Sequence, residues 1–357
     1  MLKDRAFFGR KTDFFTLQWH LTNDCGSHCR HCYDRSRRAV LSLAGARGVL
    51  KNFTDFCSRN RVRPRISLSG GDPLLYPHFW ELYESIAEAG IASSILGNPV
   101  PRGVLERLIA IQRPLYYQVS LEGLRAYNDG VRGKGHFSRT MRFLDQARGL
   151  GVSTHVMLTL ARGNMEQVIQ LGQELKGMVM RFTFNRMSQV GEAASVEPPA
   201  RNEYRMFLES YLSARRHNPH FGLKDNLINI ILKRRVMRLS SGCTGFGCGA
   251  AFNFVALLPD GELHACRKFP SLIGDVARFS FEELYFSEAA KKYRRRPVDC
   301  RGCALHRSCG GCFAVAYGQG LDPMLNRDPH CFIADGEDFP AASPLSGIPG
   351  TRQAPQL

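Results

Sequence analysis

Three cysteines close together near the start of the chain are the residues best suited to carry chemistry. Cys25, Cys29 and Cys32 follow a C-x3-C-x2-C spacing, directly after the apolar run 14–21. Thiolates bind metals, and a closed zinc or iron–sulfur site needs four of them. Three donors therefore predict a metal centre with one open position, at which a small molecule can bind. The alternatives are a partial zinc site or three buried thiols without a role.

A second and larger group of cysteines lies in the last third of the chain. Eight of the twelve cysteines fall there, and eight thiolates would close two four-cysteine iron–sulfur sites. They are Cys243, Cys248, Cys266, Cys300, Cys303, Cys309, Cys312 and Cys331. A zinc ion bound within the segment 300–312 is the competing interpretation, but its five-residue gap is short for a zinc ribbon and four cysteines would be left over. Cys57 stands alone and is predicted to be a buried structural thiol.

With Tyr33 after the third cysteine, the first group resembles the signature loop of the radical S-adenosylmethionine (SAM) enzymes. The resemblance implies a [4Fe–4S] cluster whose open iron binds the amino and carboxylate groups of SAM, and reductive cleavage of SAM to a 5′-deoxyadenosyl radical. A later segment is similar to the family's Gly-Gly-Glu-Pro motif, which holds the SAM amino group. That segment is Gly70, Gly71, Asp72 and Pro73. Asp72 replaces the Glu and is shorter by one methylene. The same residue types would also make an ordinary turn.

Strands and helices alternate along the first half of the chain. Six strand–helix pairs follow one another between residue 14 and residue 216, which predicts a parallel sheet of βαβ units. Six pairs instead of eight indicate an α/β fold with a partial (β/α)6 TIM-like barrel, open along one side, with its chemistry at the C-terminal strand ends. We therefore divide the chain into a barrel (1–216), a bridging segment (217–242), a cysteine-rich domain (243–335) and a disordered tail (336–357).

Polar residues gather at the predicted strand ends. Hydroxyl, carboxylate, amide and guanidinium groups suit the ribose hydroxyls and the carboxylate of SAM, although each could instead cap a loop. The candidates for cofactor binding are Asn98, Gln118, Ser120, Glu122, Asn185 and Arg186. Arg132 joins them because the segment 131–137 resembles a loop of the radical SAM peptide maturases.

The cysteine-rich region 243–335 resembles the SPASM domain of radical SAM peptide-modifying enzymes. The resemblance implies two auxiliary [4Fe–4S] clusters with crossed ligands, whereas spacing alone would pair neighbouring cysteines. One cluster would be held by Cys243, Cys248, Cys266 and Cys312, and the other by Cys300, Cys303, Cys309 and Cys331. Two clusters with all four ligands from cysteine suit electron transfer. Alternatively, the clusters would only stabilise the fold of a loop-rich domain.

The combined resemblance predicts a radical SAM maturase that removes hydrogen from a peptide or protein and installs a thioether, a carbon–carbon bond or another oxidative modification. The segment 309–318 is similar to maturases of the selenobiotic type. A reductant such as flavodoxin or ferredoxin is implied, and a separate leader-binding protein would replace the leader-binding domain that we do not find before residue 14. The alternatives are a SPASM-type tetrapyrrole-modifying enzyme of alternative haem synthesis, or a non-catalytic metal or nucleic-acid-binding protein.

Composition narrows the class of protein further. The formal charge of +16 favours anionic partners, but no basic motif interleaved with aromatic residues of the RNA-binding kinds is present, so we do not expect nucleic acid as a partner. No apolar run long enough for a membrane span or a secretory signal is found. Twelve cysteines without an export signal indicate metal chemistry in a reducing compartment, and we expect a cytoplasmic protein.

Overall fold

Six parallel strands, each followed by at least one helix, form the core of the fold. The computed structural model describes residues 12–240, 242–245 and 247–333. The strands are β1 (Phe14–Thr22), β2 (Arg63–Gly70), β3 (Ala92–Leu96), β4 (Tyr117–Ser120), β5 (Thr154–Leu160) and β6 (Arg181–Arg186). The helices are α1 (Leu43–Arg59), α2 (Phe79–Glu88), α3 (Arg102–Ile111), α4 (Arg125–Arg132), α5 (His136–Gly149), α6 (Val168–Glu174) and α7 (Arg201–Arg215). The predicted partial barrel is confirmed.

The cysteine-rich region continues the same sheet. After the bridging helix α8 (Ile228–Arg234), its elements are β7 (Phe254–Leu257), β8 (Glu262–His264), β9 (Leu272–Asp275), α9 (Phe281–Phe286), α10 (Glu288–Arg294) and α11 (Phe313–Gly318). The strand order is β6-β5-β4-β3-β2-β1-β7-β8-β9. β7 pairs in parallel with β1, and β8 and β9 follow antiparallel. β1 is thus an interior strand, a position that the alternation of strands and helices does not predict.

The alternation of side chains along β1 separates the two faces of the barrel wall. Phe15, Leu17, Trp19 and Leu21 are buried in the main apolar core, where helices cover the sheet. The residues between them are polar, and Gln18 donates a hydrogen bond to Ser69 on β2 at 3.3 Å. Because successive strand residues point to opposite faces, an apolar outer face leaves a polar inner face for a site.

An aromatic cluster joins the barrel to the C-terminal helices. Phe15 on β1 lies 5.2 Å from the ring of Phe56 and 5.6 Å from that of Tyr285 on α9. Phe53 on α1 lies 5.5 Å from Phe281. Burying one such ring contributes about 1.5–3 kcal/mol, so this cluster fixes α9 against the barrel.

The structure can be compared with the predictions for Cys57, the bridging segment and the tail. Cys57 is buried on α1, and burial raises the pKa of its thiol to about 12, as expected for a structural thiol. In the bridging segment 217–242, α8 supplies the helical part. α4 was not predicted, and only its last two residues overlap the segment 131–137 that was compared with a loop. The tail 336–357 lies outside the described residues. Across the part of the chain that the structure describes, no helix has the length and apolarity needed to cross a membrane.

Candidate active site

The three-cysteine loop follows β1 and forms one wall of a cavity of about 720 Å³, here called the first cavity. The cavity lies at the C-terminal ends of the barrel strands, where βα folds place their chemistry. Ten of the predicted site residues line it: Cys25, Cys29, Cys32, Gly70, Gly71, Asn98, Gln118, Ser120, Arg132 and Asn185. Asp72, Pro73, Glu122 and Arg186 do not line it, and the structure gives each of them other contacts.

Gly70 and Gly71 let the cysteine loop pack directly on β2. The Gly71 amide donates a hydrogen bond to the Thr22 carbonyl at 2.8 Å, and the Asp72 amide donates to the Asp24 carbonyl at 2.7 Å. A Cβ atom on Gly70 would lie 2.1 Å from the Thr22 oxygen, and one on Gly71 would lie 2.3 Å from the Asp24 oxygen. Only glycine permits this close approach, so the two residues set the position of the loop that carries Cys25.

Asp72 acts on the site through Asn98. Its carboxylate accepts a hydrogen bond from the Asn98 amide nitrogen at 3.1 Å and caps the backbone of Leu74 at 3.2 Å. The same Asn98 nitrogen lies 3.6 Å from the Cys25 sulfur. Asp72 therefore orients a hydrogen-bond donor toward a candidate cluster ligand. Pro73 is buried and begins the short turn after it.

Glu122 is buried beneath the cysteine loop, with 1% of its surface exposed. Its carboxylate accepts hydrogen bonds from Arg132 at 2.8 Å and from the Thr159 amide at 2.7 Å, and it lies 3.3 Å from His31. Burial alone would raise the pKa of Glu122, but Arg132 and His31 hold it well below its usual range. Arg132 in turn lies 3.6 Å from the Cys29 sulfur. Glu122 thus positions Arg132 against the loop.

We expect Glu122→Gln to destabilise the protein by about 2–3 kcal/mol, because Arg132 would lose its buried counter-charge while the amide oxygen still accepts a hydrogen bond. Anaerobic denaturant unfolding of the cluster-loaded protein measures this. The matched control is Glu106→Gln, which removes an exposed partner of Arg102 and should cost less than about 1 kcal/mol. Equal losses in the two variants would contradict the role assigned to Glu122.

Arg186 ends β6 but turns toward the cysteine-rich region. Its buried guanidinium makes two hydrogen bonds of 2.6 Å with Asp328 and one of 2.8 Å with Asp225, and it lies 3.2 Å from His330. The Asp328 carboxylate also accepts a hydrogen bond from the backbone amide of Cys312 at 2.8 Å. This network, Arg186–Asp225–Asp328–His330, ties the barrel to the second cysteine group.

A second cavity, of about 350 Å³, lies between the barrel strands and part of the second cysteine group. Leu96, Gln118, Asn185, Arg267 and Lys268 line both cavities, so the two share a wall. Sequence reasoning missed Arg267 and Lys268 as site residues, although their position directly after Cys266 was a usable signal. Arg267 also lies over the ring of Tyr33, 5.5 Å from its centre.

The eight later cysteines fall into two spatial groups. Cys243, Cys248, Cys266 and Cys312 line the second cavity, and the other four do not. In the other group, burial together with the nearby Cys331 and Cys303 raises the pKa of Cys300 to about 12. Burial, Asp328 and Cys331 raise the pKa of the Cys309 thiol, although a hydrogen bond from the Gly311 amide opposes this shift. This division agrees with the crossed pairing, in which each group of four thiols would hold one closed cubane, and the ligand sets stay predictions.

Two family models match the chain. The model described as the radical SAM superfamily matches residues 19–175, and SPASM, an iron–sulfur cluster-binding domain, matches residues 248–312. The chain is a radical SAM enzyme with a SPASM domain. These families imply SAM and three [4Fe–4S] clusters as cofactors, and the cysteines described above fit that set. Both matched ranges lie inside the predicted domains, while the domain boundaries stay predictions.

This radical SAM chain is similar to characterised proteins over most of its length. It is 26% identical to the AdoMet-dependent heme synthase of Methanosarcina barkeri, covering 90% of this chain and 97% of that protein. It is also 26% identical to the mycofactocin maturase MftC of Mycobacterium tuberculosis, covering 94% and 87%.

Among solved structures, Streptococcus suis SuiB bound to its precursor peptide SuiA superposes with a TM-score of 0.69 at 18% identity, covering 90% of this chain and 76% of SuiB. That likeness shows the shared fold.

Proposed function

We propose that the enzyme is a peptide maturase, which uses SAM to remove hydrogen from a residue of a peptide or protein and so installs a thioether, carbon–carbon or other oxidative modification. The observation that carries the proposal is the arrangement of two cavities with a shared wall, one lined by the three-cysteine loop and the other by four SPASM cysteines. A substrate residue held at that wall would lie between the SAM site and an electron acceptor. The similarity to MftC and to the fold of SuiB supports a peptide as substrate.

The residues that line the first cavity have different proposed roles. When bound, the first cluster and SAM supply the radical that removes a hydrogen atom. We propose that Cys25, Cys29 and Cys32 hold that cluster and that Arg132 and Asn98 donate hydrogen bonds toward its sulfur ligands. Gln118, Ser120 and Asn185 offer amide and hydroxyl groups to SAM or substrate at the cavity wall. The barrel around them excludes water from the reacting groups.

The eight SPASM cysteines are proposed as ligands in the crossed arrangement. Cys243, Cys248, Cys266 and Cys312 would hold the cluster beside the second cavity, and Cys300, Cys303, Cys309 and Cys331 the more distant one. The grouping of the thiols supports this assignment. The cluster beside the cavity is the better placed of the two to accept an electron from a substrate held there.

Two protein partners follow from this chemistry. Cleavage of SAM needs one electron per turnover, so we propose a flavodoxin or ferredoxin as the donor. Presentation of the peptide by a separate leader-binding protein stays a prediction.

The test is anaerobic reaction of the reconstituted enzyme with dithionite, SAM and candidate peptides encoded by neighbouring reading frames. We expect 5′-deoxyadenosine and a mass change in one peptide. Cys29→Ala should lower SAM cleavage at least about 1,000-fold, because two thiols cannot hold the cubane. Cys57→Ala is the matched control, since this buried thiol lies in the helix layer outside both cavities, and it should retain SAM cleavage. SAM cleavage by Cys29→Ala at the wild-type rate would refute the assignment.

Tetrapyrrole modification is the second candidate function. The similarity to the heme synthase over 90% of this chain favours it. Parallel reactions with a carboxylated tetrapyrrole separate the two functions. Modification of the tetrapyrrole, with every candidate peptide left unchanged, would replace the peptide proposal.

A further inference from the structure

The second cavity is strongly basic. Six cationic side chains line it, against one carboxylate, that of Asp225, among the lining residues that the structure describes. The cations are Arg65, Arg181, Arg186, Lys224, Arg267 and Lys268. Arg186 is neutralised within its network by Asp225 and Asp328. The described lining residues therefore place more positive than negative charge on the cavity wall.

A cluster bound by the four adjacent cysteines would neutralise only part of this charge. Four thiolates around a cubane core of about +2 carry a net charge of about −2. The lining residues carry a net of five positive charges before that correction, and Asp328, which also pairs with Arg186, lowers the net charge to four. About two positive charges would remain in a partly enclosed space, where an unbalanced charge is costly.

Lys224 shows the consequence for a single side chain. Burial lowers its pKa to about 8, and although Cys243 opposes the shift, Lys268 and Arg267 add to it. Arg181 on β6 also lines the cavity and is the register partner of His155 on β5, whose ring stacks on that of Tyr116 with the ring centres 4.0 Å apart. An anion in this space would relieve the repulsion between these cations.

We infer that the second cavity binds a carboxylate group of the substrate, held between Lys224 inside this cavity and Lys268 on the wall that it shares with the first cavity. Lys268 lines both cavities, so a carboxylate bound there leaves the adjoining atoms of the substrate directed toward the three-cysteine loop. The inference rests on the proposed function, because it names the substrate group that this site recognises. A peptide C-terminus, an acidic side chain and a tetrapyrrole propionate share this chemistry.

The test compares probes that differ only in charge. Equilibrium binding to the cluster-loaded protein with SAM is measured for acetyl-hexaalanine as free acid and as carboxamide, for the carboxamide peptide with a central Asp or Asn, and for a tetrapyrrole tetracarboxylate and its methyl ester. We expect at least one acid to bind about tenfold or more tightly than its neutral form. The pair with that preference identifies the source of the carboxylate.

The variants assign the preference to named side chains. Lys224→Gln and Lys268→Gln should each reduce the preference to less than about threefold. Lys176→Gln changes an exposed lysine in the turn after α6, outside the second cavity, and should leave the preference intact. Iron content and the visible spectrum confirm that each variant contains its iron–sulfur clusters. Equal binding of acids and neutral forms, no binding by any acid, or a preference that survives both cavity substitutions would overturn the inference. SAM cleavage measured in the same samples reports separately on the proposed function.

Discussion

Substitution of Gly71 by alanine should remove the SAM-binding cluster while leaving the auxiliary clusters in place. The new Cβ atom would lie 2.3 Å from the Asp24 oxygen and 2.5 Å from the Asn23 oxygen, and both are backbone atoms. The segment before Cys25 must therefore move, because no side chain can rotate away. We expect the iron content to fall by about a third and SAM cleavage to fall at least about 100-fold.

Gly26→Ala is the matched control for this prediction. Gly26 lies in the same loop, directly after Cys25, and a Cβ atom there would meet nothing within 4 Å. This variant should keep its iron and its SAM cleavage within about threefold of wild type, since the loop need not shift. Full iron content in Gly71→Ala, or an equal loss in both variants, would show that the close packing on β2 does not position the loop.

Replacing Arg186 by methionine should destabilise the protein by about 3–5 kcal/mol. The substitution leaves Asp225 and Asp328 buried without their guanidinium partner, and uncompensated buried charge is strongly destabilising. Arg186→Lys should recover only part of the loss, because an ammonium group cannot reproduce the paired hydrogen bonds to Asp328. Because Asp328 also holds the Cys312 amide, we expect slower reconstitution of the cluster beside the second cavity.

The comparison for Arg186 is an exposed ion pair on the neighbouring helix. Arg205→Met breaks a 3.2 Å contact with Glu209 on α7, where both side chains are about half exposed. Such a pair contributes at most about 1 kcal/mol. Anaerobic denaturant unfolding of the loaded proteins measures all three variants. A loss below about 1 kcal/mol for Arg186→Met would show that the network does not hold the barrel and the cysteine-rich region together.

Much of the site was predictable because its signals are local in sequence. The spacing of Cys25, Cys29 and Cys32, the Gly70–Gly71 pair and the alternation of strands and helices each depend on residues close together in the chain. The parallel order of β1–β6 then brings the strand ends to one face, which is why Asn98, Gln118 and Asn185 meet in one cavity.

The contacts that were not predicted join distant parts of the chain. Arg186 is a polar residue at a strand end, and only the folded chain shows that Asp328, 142 positions away, takes up its side chain. Glu122 was expected to contact SAM, but it instead accepts hydrogen bonds beneath the loop. The local sequence pattern predicts that a polar residue lies at the C-terminal end of a barrel strand. Whether its side chain contacts a ligand or another residue of the protein depends on packing between distant parts of the chain.

The place of β1 in the sheet also bears on how the protein is made. β1 is synthesised well before its partner β7, which begins at Phe254, more than 200 residues after β1 ends at Thr22. At about 5–20 residues per second, one side of β1 stays unpaired for on the order of ten seconds or longer. An unpaired apolar strand edge promotes aggregation, so we expect the nascent chain to depend on chaperones until β7 has been synthesised.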